Sequence, residues 1–434
     1  MPTRLSEIYQ KADSRLLEEK HDQALTGFAN VARADPEHIL SRFKIAQALE
    51  GLKESNRAFE VYKALAWHCT KAGFPLMGLV ATKRAAQLQA GFEDTLSILA
   101  ELYSLESDRI DQSLSLFALP ELHGELEIEP EEFSPDRLVH FASKLGQEFP
   151  DPRYPKMLPP IPLFSMLTSE SFFPILEILH LRTYQPGETI IKQGTPCSSV
   201  YMLACGEVEI TELQGNDEHV LARLPTGSVF GEMALISEAP RVASAICIKE
   251  SAVLELRRDE LESAAEDLDD ITWATAKFIR QRFLHNILLT SPVFKPFPPG
   301  DRKEILDRFT SVGVPTDEVI IEEGSPGPGL YVILGGEVEV SKFDGDTRVH
   351  LARLAEGAIL GEISLVQDTP TTATVQAVRG GEFLFLARED FQELIQERPQ
   401  IRQALEALSA ERLDEQRQSM YEAGLVSADG SVLF

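Results

Sequence analysis

Positive charge is scarce in this 434-residue sequence: 41 Lys and Arg stand against 69 Asp and Glu, a formal net charge of −28. That balance excludes the broad basic footprint with which proteins hold nucleic acid or anionic lipid. A small anionic ligand is not excluded, because at physiological salt charges beyond about 8 Å are largely screened and local groups decide. Cysteine is scarce too. Cys69, Cys197, Cys205 and Cys247 form no CxxC pair, so free thiols in a reducing compartment are expected rather than a disulfide framework. No stretch has the roughly 18 consecutive apolar residues of a membrane span, and the opening MPTRLSEIYQKADS has no apolar signal core. A cytoplasmic protein without membrane insertion is the expectation. The motifs HExxH, GxxxxGK(S/T) and GxSxG and the kinase signature are all missing, and the nine His are scattered. No enzymatic activity, metal or cofactor is therefore expected.

What the sequence does contain is a copy of itself. Shifted by 130 residues, LARLPTGSVFGEMAL from Leu221 meets LARLAEGAILGEISL from Leu351, and YMLACGEVEI from Tyr201 meets YVILGGEVEV from Tyr331. Ile190, Gly194 and Pro196 meet Ile320, Gly324 and Pro326, and Pro162 and Phe164 meet Pro292 and Phe294, all without a gap. This is a tandem duplication. Each copy has a short helical lead-in, several alternating apolar runs broken by Gly, Pro and Asp, and a helix-like close over 259–289 or 389–420. Regularly spaced short strands of this kind predict a β-roll with helices at its ends.

Ahead of the duplication, apolar residues recur at helical spacing, and Ala24 and Phe28 are answered 34 residues later by Ala58 and Tyr62, as Ala12 is by Ala46. A 34-residue period with small residues between helices resembles tetratricopeptide repeats, with an unrelated array of α-hairpins as the alternative. Between the helices and the first roll, ELHGELEIEPEEFSPD from Glu121 to Asp136 has seven acidic residues and no Lys or Arg, which reads as a linker or a partly ordered connecting segment. The chain is thus an α+β multidomain protein: a helical repeat domain over 1–115, an acidic, proline-rich linker over 116–158, rolls over 159–290 and 291–420, and a tail over 421–434.

The stretch FGEMALISEAPRVA, from Phe230 to Ala243, carries the chemistry. Gly231, Glu232, Ala234, Leu235, Pro240, Arg241 and Ala243, within a predicted β-roll, strongly resemble the phosphate-binding cassette of cyclic nucleotide-binding domains, as in protein kinase A regulatory subunits and the catabolite activator family. Residue chemistry agrees. Gly231 lets the backbone turn tightly and approach a ligand, and a short helix from about Met233 would aim N–H groups near Ala234 and Leu235 at an anion. Arg241 brings a fork that matches phosphate oxygens. Glu232, beside an anion, would accept a ribose hydroxyl; an ion pair with Arg241 is the structural alternative. Ala243 lets backbone reach phosphate, and Ser244 adds a hydroxyl or faces solvent. Family members preferring cGMP often carry a hydroxyl residue after the cassette Arg; Val242 has none, so the resemblance implies cAMP, with cGMP as the other possibility. Trp273, Phe278 and Phe283 are candidate caps for the base, although at helical spacing such residues are more often core.

The second copy departs from this pattern. Gly361, Glu362 and Leu365 are retained, but Ser364 answers Ala234, and Thr371, followed by Thr372, answers Arg241. A buried charge left without its partner costs about 2 to 5 kcal/mol, so this site is expected to be degenerate. The main expectation is a cyclic-nucleotide receptor signalling to a protein partner through its helical repeats, with oligomerisation open. The alternatives are a structural adaptor and a regulatory subunit of a kinase. A basic pseudosubstrate is doubtful, since Arg109, Arg137 and Arg153 stand alone between Glu106 and Pro160.

Overall fold

Small residues at helical spacing let helices approach closely, and the first part of the chain uses them that way. The computed structural model describes residues 2–89, 93–150, 154–196, 198–214, 217–232, 241, 243–267, 270–275, 277–278, 305, 308–344, 347–355 and 357–422. After a two-residue strand, β1 (Thr3–Arg4), come α1 (Leu5–Leu17), α2 (His21–Ala34), α3 (Ile39–Gly51), α4 (Ser55–Ala72), α5 (Pro75–Leu88) and α6 (Glu93–Tyr103). Helix α3 starts 39 − 5 = 34 residues after α1, and α4 starts 55 − 21 = 34 after α2. Gly27 of α2 sits so close to α1 that an added Cβ would stand 2.6 Å from the Ala12 Cβ. Helix α4 stops on Gly73, whose φ of 88° provides the left-handed turn that ends many helices.

The acidic segment read as a linker is packed instead. Strand β2 (Glu127–Ile128) pairs with β1, and the Glu131 N–H donates to Asn30 Oδ1 at 2.8 Å. Helix α7 (Pro135–Gln147) lies against α2, α3 and α4. Phe133, Phe141, Leu145 and Phe149 turn into the core while Glu121, Glu125, Glu127, Glu129, Glu131 and Glu132 are exposed. Arg42, 1% exposed, donates to the Glu148 carbonyl at 3.0 Å and stacks its guanidinium over the Phe149 ring.

A turn at Phe164–Met166 and α8 (Ser169–Ile178) lead into β3 (His180–Tyr184), β4 (Thr189–Ile191), β5 (Ser199–Gln214), β6 (Asp217–Pro225), β7 (Val229–Phe230) and β8 (Ser244–Arg257), followed by α9 (Arg258–Asp267). The strands are antiparallel in the order β3-β8-β5-β6, with β4 on β8 and β7 on β5. One apolar core runs from Ala12 and Leu49 through Leu163 and Phe172 to Val200, Leu254 and Phe278. Helices, acidic segment and first roll therefore belong to a single compact unit, Met1–Phe278. Lys44 ties it further: its ammonium lies 2.7 Å from Asp13 of α1 and 2.5 Å from Glu250 of β8.

The second unit, Ile279–Phe434, repeats the roll with β9 (Thr310–Val314), β10 (Val319–Ile321), β11 (Gly329–Ile333), β12 (Glu337–Asp344), β13 (Thr347–Leu354), β14 (Ile359–Leu360), α10 (Glu362–Gln367), β15 (Thr374–Arg379), β16 (Gly381–Ala387), α11 (Arg388–Glu397) and α12 (Pro399–Glu422). Its strands form two four-stranded sheets, β10-β15-β12-β13 and β14-β11-β16-β9. The continuous strands β5 and β8 of the first roll are each broken in two here. The breaks fall over 334–336, which holds Gly335-Gly336, and at Gly380, which precedes Gly381 at the start of β16; the first roll has Cys205-Gly206 and Glu250-Ser251 there, and paired glycines weaken a strand at a bend. Among the described residues no helix is long and apolar enough to cross a membrane. Cys69, Cys205 and Cys247 are free thiols, with burial pushing Cys205 up to about 11; Cys197 lies outside the described residues.

Candidate functional site

The ends of β5, β7 and β8 frame a loop that presents Gly231, Glu232 and Arg241. Arg241 is 9% exposed. Its Nη1 donates to the Gly231 carbonyl at 2.9 Å and its Nη2 to the Ser199 carbonyl at 2.6 Å, and its guanidinium carbon lies 6.0 Å from the Tyr201 ring centroid. The backbone is bracketed by the turn before it: Arg241 N–H donates to the Thr195 carbonyl at 2.9 Å and Gly194 N–H to the Arg241 carbonyl at 2.8 Å. Gly231 is required twice over, by its φ of 75° and because a Cβ there would stand 2.9 Å from Arg241 Nη1. Glu232 is 7% exposed. The two side chains do not form the ion pair left open above, and among the described residues no carboxylate pairs with Arg241. A buried cation whose described partners are neutral carbonyls favours an incoming anion.

The hydroxyl of Ser244 accepts from the Gln193 N–H at 3.0 Å and so braces the end of β4. Thr374 does the same for Glu323 in the second roll, at 3.1 Å. Ala243 is partly buried. Met233, Ala234, Leu235 and Val242 lie outside the described residues, as does Phe283. Of the candidate caps, Phe278 is 4% exposed and belongs to the core, whereas Trp273 is 49% exposed with the Lys277 ammonium 4.5 Å from its ring centroid.

The second roll reproduces the backbone and changes the side chains. Gly361 has a φ of 84°, and a Cβ there would stand 2.4 Å from the Gly329 carbonyl. Thr371 is bracketed like Arg241: its N–H donates to the Ser325 carbonyl at 3.0 Å and its carbonyl accepts from Gly324 N–H at 2.9 Å. Its hydroxyl turns back into the loop, donating to the Glu322 carbonyl at 2.5 Å and accepting from Ser325 N–H at 3.1 Å. Glu362, 2% exposed, receives Arg412 Nη1 from α12 at 2.7 Å, and the same guanidinium donates to the Ile359 carbonyl. Ser364 donates to the Gly361 carbonyl at 3.1 Å, Leu365 is buried, and Thr372 joins Thr371 and Arg412 in lining a pocket. Arg412 was not read from the sequence. Its signal was available, because Arg282 and Arg412 coincide under the 130-residue shift.

The family model for the cyclic nucleotide-binding domain matches this chain twice, over residues 181–267 and 312–398. The chain carries two tandem cyclic nucleotide-binding domains. The domain pair is similar to the cAMP-dependent protein kinase regulatory subunit of Blastocladiella emersonii, 28% identical over 50% of this chain and 52% of that one. It is also similar to the type II regulatory subunit of Drosophila melanogaster, 29% identical over 54% of this chain and 59% of that one. The chain thus spans little more than half the length of these relatives. A solved structure, the regulatory domain of Toxoplasma gondii PKA with cAMP, is 21% identical and covers 57% of this chain and 92% of its own, with a TM-score of 0.28.

Proposed function

We propose that the chain is a cAMP receptor without enzymatic activity, with its ligand-competent site in the first cyclic nucleotide-binding domain. The observation that carries this reading is Arg241, a buried cation with carbonyls for neighbours and no described carboxylate partner. Cyclic phosphate would complete it through bidentate hydrogen bonds. Glu232 would accept a ribose hydroxyl, and Gly231 would let the backbone come close. Val242, with no hydroxyl, supports adenine over guanine. Ligand would order the cassette and draw in α9, a population shift driven by differential affinity.

The helical part offers a face for a protein partner in the same reading. Trp67 is 40% exposed, set edge-on to Tyr154 at 5.9 Å, beside a groove with Glu60, Lys63, Ala64 and Ile98. A second reading, regulation of a kinase, is favoured by the names of the relatives, and co-purification with a kinase activity released by cAMP would support it.

Calorimetric titration of the full chain tests the main reading. Binding of cAMP near one equivalent, tighter than cGMP and lost in Arg241→Ala, is expected. No heat and no thermal shift with either nucleotide would leave the cassette a scaffold.

A further inference from the structure

The seat of Arg241 is itself held from behind. Its Nη2 donates to the Ser199 carbonyl, and Ser199, 3% exposed, uses its hydroxyl as well, donating to Glu255 Oε1 at 2.9 Å. The other carboxylate oxygen, Oε2, accepts from Arg182 Nε at 3.1 Å. Across the strand order β3-β8-β5, Arg182 stands opposite Val253 and Ser199 opposite Arg257, so Glu255 is the diagonal neighbour of both. The three side chains form one line from the edge strand β3 to the buried start of β5. Burial would raise Glu255, but the bonds from Ser199 and Arg182 outweigh it and hold the carboxyl below its ordinary range, so Ser199 meets an ionised acceptor at neutral pH.

The second roll lost this line together with the cation. Under the 130-residue shift Ser199, Glu255 and Arg182 become Gly329, Phe385 and Val312, as Arg241 becomes Thr371. A Cβ at Gly329 would stand 2.5 Å from Phe385 Cε2, so the ring fills the room a hydroxyl would need, and Tyr331 packs on it at 4.7 Å. Gly361, Glu362 and Tyr331, the counterparts of Gly231, Glu232 and Tyr201, are kept. A bond whose only work was to hold the sheet would be wanted in both rolls; this one stands where there is an Arg to seat.

We propose that Ser199 and Glu255 are positioning residues of the first site: Glu255, anchored by Arg182, fixes Ser199 so that its carbonyl seats Arg241 and leaves the remaining guanidinium N–H groups for phosphate. This deepens the receptor reading and rests on it for the ligand, while the seat itself does not depend on which anion arrives.

Calorimetry of the full chain with cAMP tests it. Glu255→Gln and Ser199→Ala should each weaken binding roughly 5-fold to 30-fold, within the range of coupling in one hydrogen-bond network. Arg182→Ala, at a side chain 45% exposed, should weaken it about 2-fold to 5-fold, as for a surface pair, and carries the test if the buried variants melt. In an Arg241→Lys background, which keeps a charge but has no fork to seat, the same changes should cost no further affinity, whereas a merely structural role would cost the same factor in both backgrounds. The ligand-free chain supplies a second readout by magnetic resonance with isotope-labelled arginine. The Nη signals assigned to Arg241 by their loss in Arg241→Ala should be separate in the unaltered protein and averaged by faster rotation in the folded variants of the line. Wild-type cAMP affinity in every variant of the line that folds, equal losses in both backgrounds, or Nη signals unmoved by those variants would each overturn the proposal. Failure of cAMP to bind the unaltered chain would sink the receptor reading alone, and the Nη signals would then decide the seat.

Discussion

The two rolls share a backbone and differ in who answers their charges. In the first, a buried Arg241 rests on carbonyls, and no described carboxylate neutralises it. In the second, a buried Glu362 is neutralised from outside the cassette by Arg412 of the closing helix. The turn that brackets residue 241 through Gly194 and Thr195 is matched, bond for bond, by the turn that brackets residue 371 through Gly324 and Ser325. Duplication therefore conserved the frame, and specificity was left to single side chains hung on it.

The largest effect should come from the side chain that separates the copies. Arg241→Ala is expected to cost about 2 to 5 kcal/mol of cAMP binding, roughly 30-fold to several thousand-fold in Kd by calorimetry. Wild-type affinity in that variant would move the ligand to the second roll and invert the comparison. Next, Arg412→Ala strands Glu362 at 2% exposure and should cost the second unit about 3 kcal/mol. This would appear as a lowered melting transition for that unit with the first unit's transition unmoved.

Acid should separate the units as well. Burial holds His38 and His68 of the first unit down to about 4 each. Both are neutral in the fold while the unfolded chain takes up protons below about 6.5. The stability they permit is intact above pH 6.5 and lost as pH falls towards 4, on the order of 2 kcal/mol near pH 5 for the more deeply buried His38. Denaturant titrations at pH 7 and pH 5 should show the first unit weakening by this route, and replacing both His with Gln should flatten the dependence. The smallest effect compares two glycines. Gly194→Ala, at a φ of 80° with open space around it, should cost only about 1 to 2 kcal/mol of backbone strain. Gly231→Ala should add a loss of cAMP affinity by pushing Arg241 aside.

Much of this was legible in the residues. The duplication, the paired helices and the cassette are matters of spacing, and spacing survives in a string of letters. The packed path of 116–158 was hidden because seven carboxylates dominate its composition, while the few aromatics that fix it, Phe133, Phe141 and Phe149, are spread too widely to form a periodic run. Fusion of helices and roll into one core was hidden for another reason: contacts such as Lys44 to Glu250 join residues 206 apart. Arg412 could have been found by carrying the duplication past the strands into the closing helix.

The Lys44 clasp has a mechanical consequence. Strand β8 leaves the cassette at Ser244 and reaches Glu250 six residues later, about 20 Å along an extended chain. There it is gripped by α3 and, through Asp13, by α1. Helices clasped in this way to the strand that leaves the loop are coupled to it at Glu250. They would carry a shift of the loop to their outer face as a pointer carries the movement of a gauge.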